Sequence, residues 1–194
     1  MVSRRPPDFE EFLARLTRAL KDRRLPFMLI GGQAVLLHGR PRLTEDIDVT
    51  LGVSPEELPA LEDICRSLGL APLPTDPEQF VRETLVLPVS DPDTAIRVDF
   101  IFSTTPYERQ AIERAEKIAL SGEWVPFAAA EDLIIHKLFA GRAVDWEDAV
   151  SVVKRKGQTL DWNYMERWGR EFAEVPGRED LPERLSRLRA EGEA

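Results

Sequence analysis

The chain has 194 residues, 43% hydrophobic and 31% charged, with a formal net charge of −9, a length that suits one compact unit of about 150 residues plus a helical extension. No apolar run approaches the ~18 residues of a membrane span and no signal-peptide pattern opens the chain, so a soluble, cytoplasmic protein with no membrane partner is expected. The single cysteine, Cys65, excludes an internal disulfide and a cysteine zinc site and is expected as a small core residue, while the acidic balance argues mildly against nonspecific nucleic-acid binding.

From Asp8 to Arg24 the pattern predicts an amphipathic helix with Phe9, Phe12, Leu13, Leu16 and Leu20 inward and Asp8 as its cap after Pro6-Pro7. Arg4, Arg5, Arg15, Arg18, Lys21, Arg23 and Arg24 belong to a solvated basic stretch. Residues 1–42 hold nine Lys/Arg against four Asp/Glu. Phe27 to Ile30 is a continuous apolar run, as in a strand buried on both faces. Gly31-Gly32 follows, a turn where the backbone approaches a ligand with no Cβ in the way, or one that serves packing alone. Gln33 to His38 then reads as a short helix ending at Gly39, with N-terminal amides favourable to an anion.

Asp46-Ile47-Asp48 opens the next strand, expected to Leu51. Strand side chains alternate, so the two aspartates share one face while Ile47 and Val49 share the other. Two like charges side by side repel, and a divalent cation makes such a pair tolerable; hard oxygen ligands suit Mg²⁺ or Mn²⁺. Arg40 and Arg42 precede this strand and could steer a triphosphate or an RNA end to it.

Ser54-Pro55 opens a helix that Gly69 ends. Phe80 to Val89 and Thr94 to Phe102 are expected as strands about Ser90-Asp91-Pro92-Asp93. In the second, Val98, Phe100 and Phe102 share a face, and Asp99 falls opposite, beside Arg97 and Ile101. An aspartate in so apolar a strand is costly unless paired or metal-bound. Placed next to Asp46 and Asp48 it would complete a three-carboxylate set suited to two-metal phosphoryl chemistry. A short helix from Pro106, a hairpin about Ser121-Gly122, and helices from Ala130 onward, broken at Gly157 and Pro176-Gly177, complete the chain. Glu179 to Ala194 is charge-rich and expected to fray. Lys137 falls on the packed side of an almost wholly apolar helix, where a lysine snorkels or meets an anion, either a triphosphate or an aspartate. His136 is read as a satisfied core histidine.

Together the apolar strand, Gly31-Gly32, Asp46-Ile47-Asp48 and the distal Asp99 resemble the polymerase-beta-type nucleotidyltransferase superfamily. Arg40-Pro41-Arg42-Leu43-Thr44-Glu45-Asp46-Ile47-Asp48, and Ala130 to Ala140 followed by Arg142 and Asp145-Trp146-Glu147-Asp148, narrow the resemblance to its AbiEii-like, toxin-type branch over about residues 25 to 155. The resemblance implies an α+β nucleotidyltransferase fold, a small mixed sheet flanked by helices, with a catalytic core at 1–127 and a helical part at 128–194. It also implies a metal-dependent enzyme that moves a nucleoside monophosphate from an NTP to a hydroxyl acceptor. The metal ligands would be Asp46, Asp48 and Asp99 (with Mg²⁺ or Mn²⁺). Nucleotide contacts would come from Gly31, Gly32, Arg42, Thr44 and Lys137, with Asp148 or Asp145 a further polar site residue. Acceptors in keeping with it are a tRNA 3′ end, a protein hydroxyl or a small molecule, and a cognate antitoxin is an implied partner. The alternative is a non-catalytic nucleotide- or partner-binding member of the same fold.

Overall fold

Phe27–Ile30 is buried at every position and forms a strand, β1, as a run with no polar side must where both faces of a sheet are covered. The computed structural model describes residues 9–44 and 46–193; the expected cap at Asp8 and the basic Arg4 and Arg5 lie outside the described residues. In chain order the first elements are α1 (Phe9–Asp22), β1, α2 (Gly31–His38), β2 (Asp46–Leu51), α3 (Leu58–Leu68), β3 (Ala71–Pro72), α4 (Pro77–Thr84), β4 (Val86–Ser90) and β5 (Arg97–Phe102). Then come α5 (Pro106–Arg114), β6 (Glu116–Leu120), β7 (Glu123–Phe127), α6 (Ala130–Ala140), α7 (Ala143–Lys156), α8 (Trp162–Phe172) and α9 (Leu181–Glu193).

Two compact units divide these elements. One runs up to Leu29 and resumes over Thr44–Phe127; the other comprises Ile30–Leu43 and the chain from Ala128 onward. The segment 30–43 thus groups with the C-terminal helices. Among the described residues the first unit holds a seven-stranded mixed sheet ordered β3-β4-β5-β2-β1-β7-β6. β2 pairs with β5 and β1 with β7 in parallel, while β3–β4, β4–β5 and β6–β7 are antiparallel. This is the α+β architecture that the sequence predicts. Phe12, Leu13, Leu16 and Leu20 of α1 are buried in this unit, as their spacing requires, and Cys65 of α3 is buried too. Burial, with the nearby charge of Glu62, pushes the Cys65 thiol up to about 12, which suits an inert core residue.

The structure departs from the sequence reading in several places, among them β5, which begins at Arg97 and not Thr94, and a helix break at Gly141. Phe80 is not in a strand: Pro77–Thr84 is helical, because Asp76 caps it by accepting from the Gln79 amide (2.9 Å) and Pro77 presets its first turn. The strand begins only at Val86, after Leu85 turns the chain at φ 59°. Ser54 makes no cap bond; its hydroxyl donates to Glu56 (3.1 Å), and a 3₁₀ turn over Pro55–Glu57 precedes α3. The charge-rich tail does not fray: Leu181, Leu185 and Leu188 of α9 are buried at helical spacing. Finally, the helix expected from Gln33 already starts at Gly31, so the two glycines of the turn are the first residues of α2, with Gly31 at φ 62°.

That φ lies where an L-residue is strained and glycine is not. Gly31→Ala should therefore lower stability by about 1–2 kcal/mol, read as a lower denaturant midpoint with unchanged slope.

Candidate active site

Register decides the first constellation. β2 and β5 run in parallel with Asp48 opposite Asp99 and Asp46 opposite Arg97. Alternation drives Ile47, Val49, Val98 and Phe100 into the core, where none is measurably exposed, and leaves Asp46, Asp48 and Asp99 half-buried on the other face. The three expected ligands thus share one face of two neighbouring strands, which lie about 4.8 Å apart in a sheet.

The counter-charge on that face is Arg97. Its Nε and Nη2 donate to the two oxygens of Asp99 at 3.0 and 3.1 Å, a bidentate pair. The hydrogen bond and charge of Asp99 hold the Arg97 guanidinium above its usual value against a smaller opposing effect of burial, and Asp46 and Asp48 add to the rise. Thr44, expected as a nucleotide contact, stands at the entry to β2 with its hydroxyl 3.3 Å from the Asp46 carbonyl and 3.4 Å from its carboxylate. Among the described residues no three His, Cys, Asp or Glu side chains are gathered as a ready metal cage. Beyond Asp99 the sheet continues to Pro88 of β4, and Pro88 and Arg97 border a cavity of 520 Å³ shared with Leu73 and Phe80.

The second unit holds the other expected residues. Gly31 and Gly32 open α2, whose start has no side-chain cap. Its last residue, the fully buried His38, pairs through Nε2 with the Ala128 carbonyl at 2.8 Å. Lys137 of α6 is 5% exposed and stands 3.0 Å from Asp145 and 2.9 Å from Asp148, both buried on α7. Of the anions weighed for Lys137, the aspartates are present in the fold itself. Arg42 grips Asp148 with two bonds at 2.9 and 3.0 Å, and Arg142 grips Asp145 at 2.7 and 3.1 Å while its amide donates to the same carboxylate. Both aspartates and all three cations are thus partnered.

Burial acts to raise the Asp145 and Asp148 carboxyls. The bonds and charges of Arg142 with Lys137, and of Arg42 with Lys137, outweigh it, so both lie below the usual carboxylate range. The sequence places Arg97 beside Asp99 on one strand face, and the structure closes the two into a bidentate pair. Reading residues singly missed the buried Asp132–Tyr164 pair, in which the phenol donates at 2.6 Å; no signal spans the 32 residues between them.

Comparison with known proteins follows the same lines. A family model described as "Nucleotidyl transferase AbiEii toxin, Type IV TA system" matches residues 11–148. No curated protein sequence matches the chain. Among solved structures, a nucleotidyltransferase-like antigenic protein from Paracoccidioides brasiliensis superposes with TM-score 0.52 at 16% identity, over 91% of each chain. ANT(2″)-Ia in complex with adenylyl-2″-tobramycin gives 0.51 at 16%, over 93% of this chain and 97% of that one. JHP933 from Helicobacter pylori gives 0.50 at 15%, over 95% and 88%. At such identity the likeness is one of fold. Among the described residues no helix is long and apolar enough to cross a membrane.

Removing one partner of a buried ion pair leaves the other uncompensated. Lys137→Met should cost about 3–5 kcal/mol in chemical denaturation. Because the folded Asp145 and Asp148 values are depressed, their stabilisation is fully present above the unfolded carboxylate pKa of about 3.9 and is lost as pH falls through the folded values below it. An acid titration followed by circular dichroism should place the wild-type transition below that of Lys137→Met, in which both aspartates have lost a cation.

Proposed function

The chain belongs to the AbiEii nucleotidyl transferase family, and we propose that it moves a nucleoside monophosphate from a nucleoside triphosphate to a hydroxyl acceptor, releasing pyrophosphate. The observation that carries this reading is the register of Asp48 opposite Asp99, with Asp46 on the same face. An all-carboxylate donor set fits Mg²⁺ or Mn²⁺ rather than a softer ion. The face already draws a cation, since Arg97 answers it, and the Arg97 side chain is 49% exposed and so has solvent to turn into. Asp46, Asp48 and Asp99 would hold the metal, which when bound supplies Lewis-acid stabilisation of the phosphoryl oxygens.

The remaining chemistry falls to the chain's own groups. The acceptor oxygen bonds to the α-phosphorus as the bond from that phosphorus to the bridging oxygen of the pyrophosphate breaks. The acceptor proton passes to Asp99, which must first release Arg97. Thr44 keeps Asp46 oriented from the entry to its strand. The amides at Gly31 and Gly32, at the positive end of α2, have by themselves the chemistry to favour a phosphate oxygen. Contact of Lys137 or Arg42 with phosphate requires each to exchange part of its aspartate pairing for the ligand, so on this reading their first task is to hold the helices. The family description is of a toxin of a type IV TA system, which supports a cognate antitoxin as a proposed partner. The acceptor is a tRNA 3′ end, a protein hydroxyl or a small molecule.

One observation favours a second reading. Both oxygens of Asp99 are engaged by Arg97, as would suit a non-catalytic member that binds nucleotide without turnover. Incubation with Mg²⁺ and each α-³²P-labelled NTP, with total tRNA or cell lysate, separates the two. Label on RNA or protein should fall on the order of a thousandfold in Asp48→Ala and in Asp99→Ala, with circular dichroism unchanged. Equal labelling in either variant would overturn the mechanism. Nucleotide binding with neither label transfer nor pyrophosphate release would favour the second reading.

A further inference from the structure

A cavity of 780 Å³ in the helical unit is lined by none of the residues assigned a role above. Lys154, Arg155 and Lys156 at the end of α7, Arg189 of α9 and Trp162 of α8 line it, with the 3₁₀ turn over Gly157–Thr159 supplying polar groups. Among its described lining residues there is no carboxylate, in a chain whose net charge is −9. Basic residues in the last turn of a helix have an ordinary explanation, since they complement the negative end of the helix dipole. That explanation does not extend to Arg189, which comes from another helix. Nor does it cover Trp162, half-buried with the Arg189 guanidinium 5.2 Å from its ring centroid.

The wall is also held in place. A Cβ at Gly192 would lie 2.0 Å from the Val153 side chain, so α9 meets α7 at a contact that only a residue without a side chain allows. The charge is therefore not confined to a flexible tail. It sits on two helices locked together, and the Arg189–Glu166 ion pair at 3.5 Å is long enough to be exchanged.

We propose that this cavity binds a single-stranded polynucleotide, its phosphates against Lys154, Lys156 and Arg189 and a base against Trp162. Cations that follow a backbone beside an aromatic platform are the recurring means of holding single strands, and guanidinium planes stack on bases as well as pairing with phosphates. The volume accommodates a nucleotide-sized group. A free phosphate or triphosphate shares the anionic chemistry but has no use for a chain of cations extending over two helices. The inference does not rest on the transferase reading and survives its failure.

The test is fluorescence anisotropy of a labelled single-stranded RNA dodecamer with the full chain in EDTA, so that no transfer occurs. Binding should weaken at least tenfold in Lys154→Gln/Lys156→Gln/Arg189→Gln, and the slope of log affinity against log salt should shrink by about two. Trp162→Ala should weaken binding roughly five- to a hundredfold at unchanged slope, with Trp162→Phe restoring most of it. Arg66→Gln/Arg82→Gln, which removes two exposed cations of the sheet unit, should bind as the wild type does. Absence of RNA binding, wild-type affinity in the triple variant, or an equal loss of binding in Arg66→Gln/Arg82→Gln would each overturn the proposal. So would displacement of the RNA by inorganic triphosphate at equal phosphate concentration, which would make the cavity a site for free anions.

Discussion

Mutual repulsion among Asp46, Asp48 and Asp99 is the constraint around which the sheet unit is arranged. Like charges at neighbouring positions of one sheet face repel one another. The opposing contribution comes from the other side of the same strands. Ile47, Val49, Leu51, Val98, Phe100 and Phe102 are essentially fully buried, each contributing about 1.5–3 kcal/mol. Burial on one face therefore exceeds repulsion on the other and holds like charges in register. Arg97 removes part of what is left.

The helical unit handles charge differently. Its carboxylates are buried rather than presented, and Lys137, Arg42 and Arg142 neutralise them at 2.7–3.1 Å. Such a network adds little net stability over a well-packed apolar core, but it tolerates only one arrangement of its members. Here it ties α6 to α7 and, through Arg42, the segment after α2 to both. Gly39 strengthens the tie: a Cβ there would lie 2.4 Å from the Ser151 hydroxyl oxygen, and the neighbouring backbone is bonded by Ser151 and Arg155 of α7. The segment leading towards β2 is thus anchored by backbone as well as by charge.

Aromatic residues in this unit are dressed with arginine. Arg167 stands over Tyr164 and Trp168, Arg178 over Phe139, Arg187 over Trp146 and Arg189 over Trp162, at 4.6–5.6 Å from the ring centroids. These stacks keep large rings compatible with a partly exposed helix surface.

Periodicity and local chemistry were enough to find β1, β2, β5, the hairpin of β6 and β7, and the faces of Asp46, Asp48 and Asp99, because alternation over a strand is encoded by adjacent residues. They were not enough for α4, where Asp76 and Pro77 outweighed the β-forming character of Phe80 and Val81, nor for α9, whose three leucines become a helix face only against neighbouring helices. Lys137 shows the boundary most clearly. Its own surroundings left open whether it snorkels or meets an anion, and which anion, since Asp145 and Asp148 lie eight and eleven residues on, and Arg42 far back in the chain. Which strand lies beside β2, and hence whether Asp99 joins the other carboxylates, was likewise beyond the reach of the chain's local pattern. Strand order and charge partnership are set by packing between distant segments, and no short-range rule carries that information.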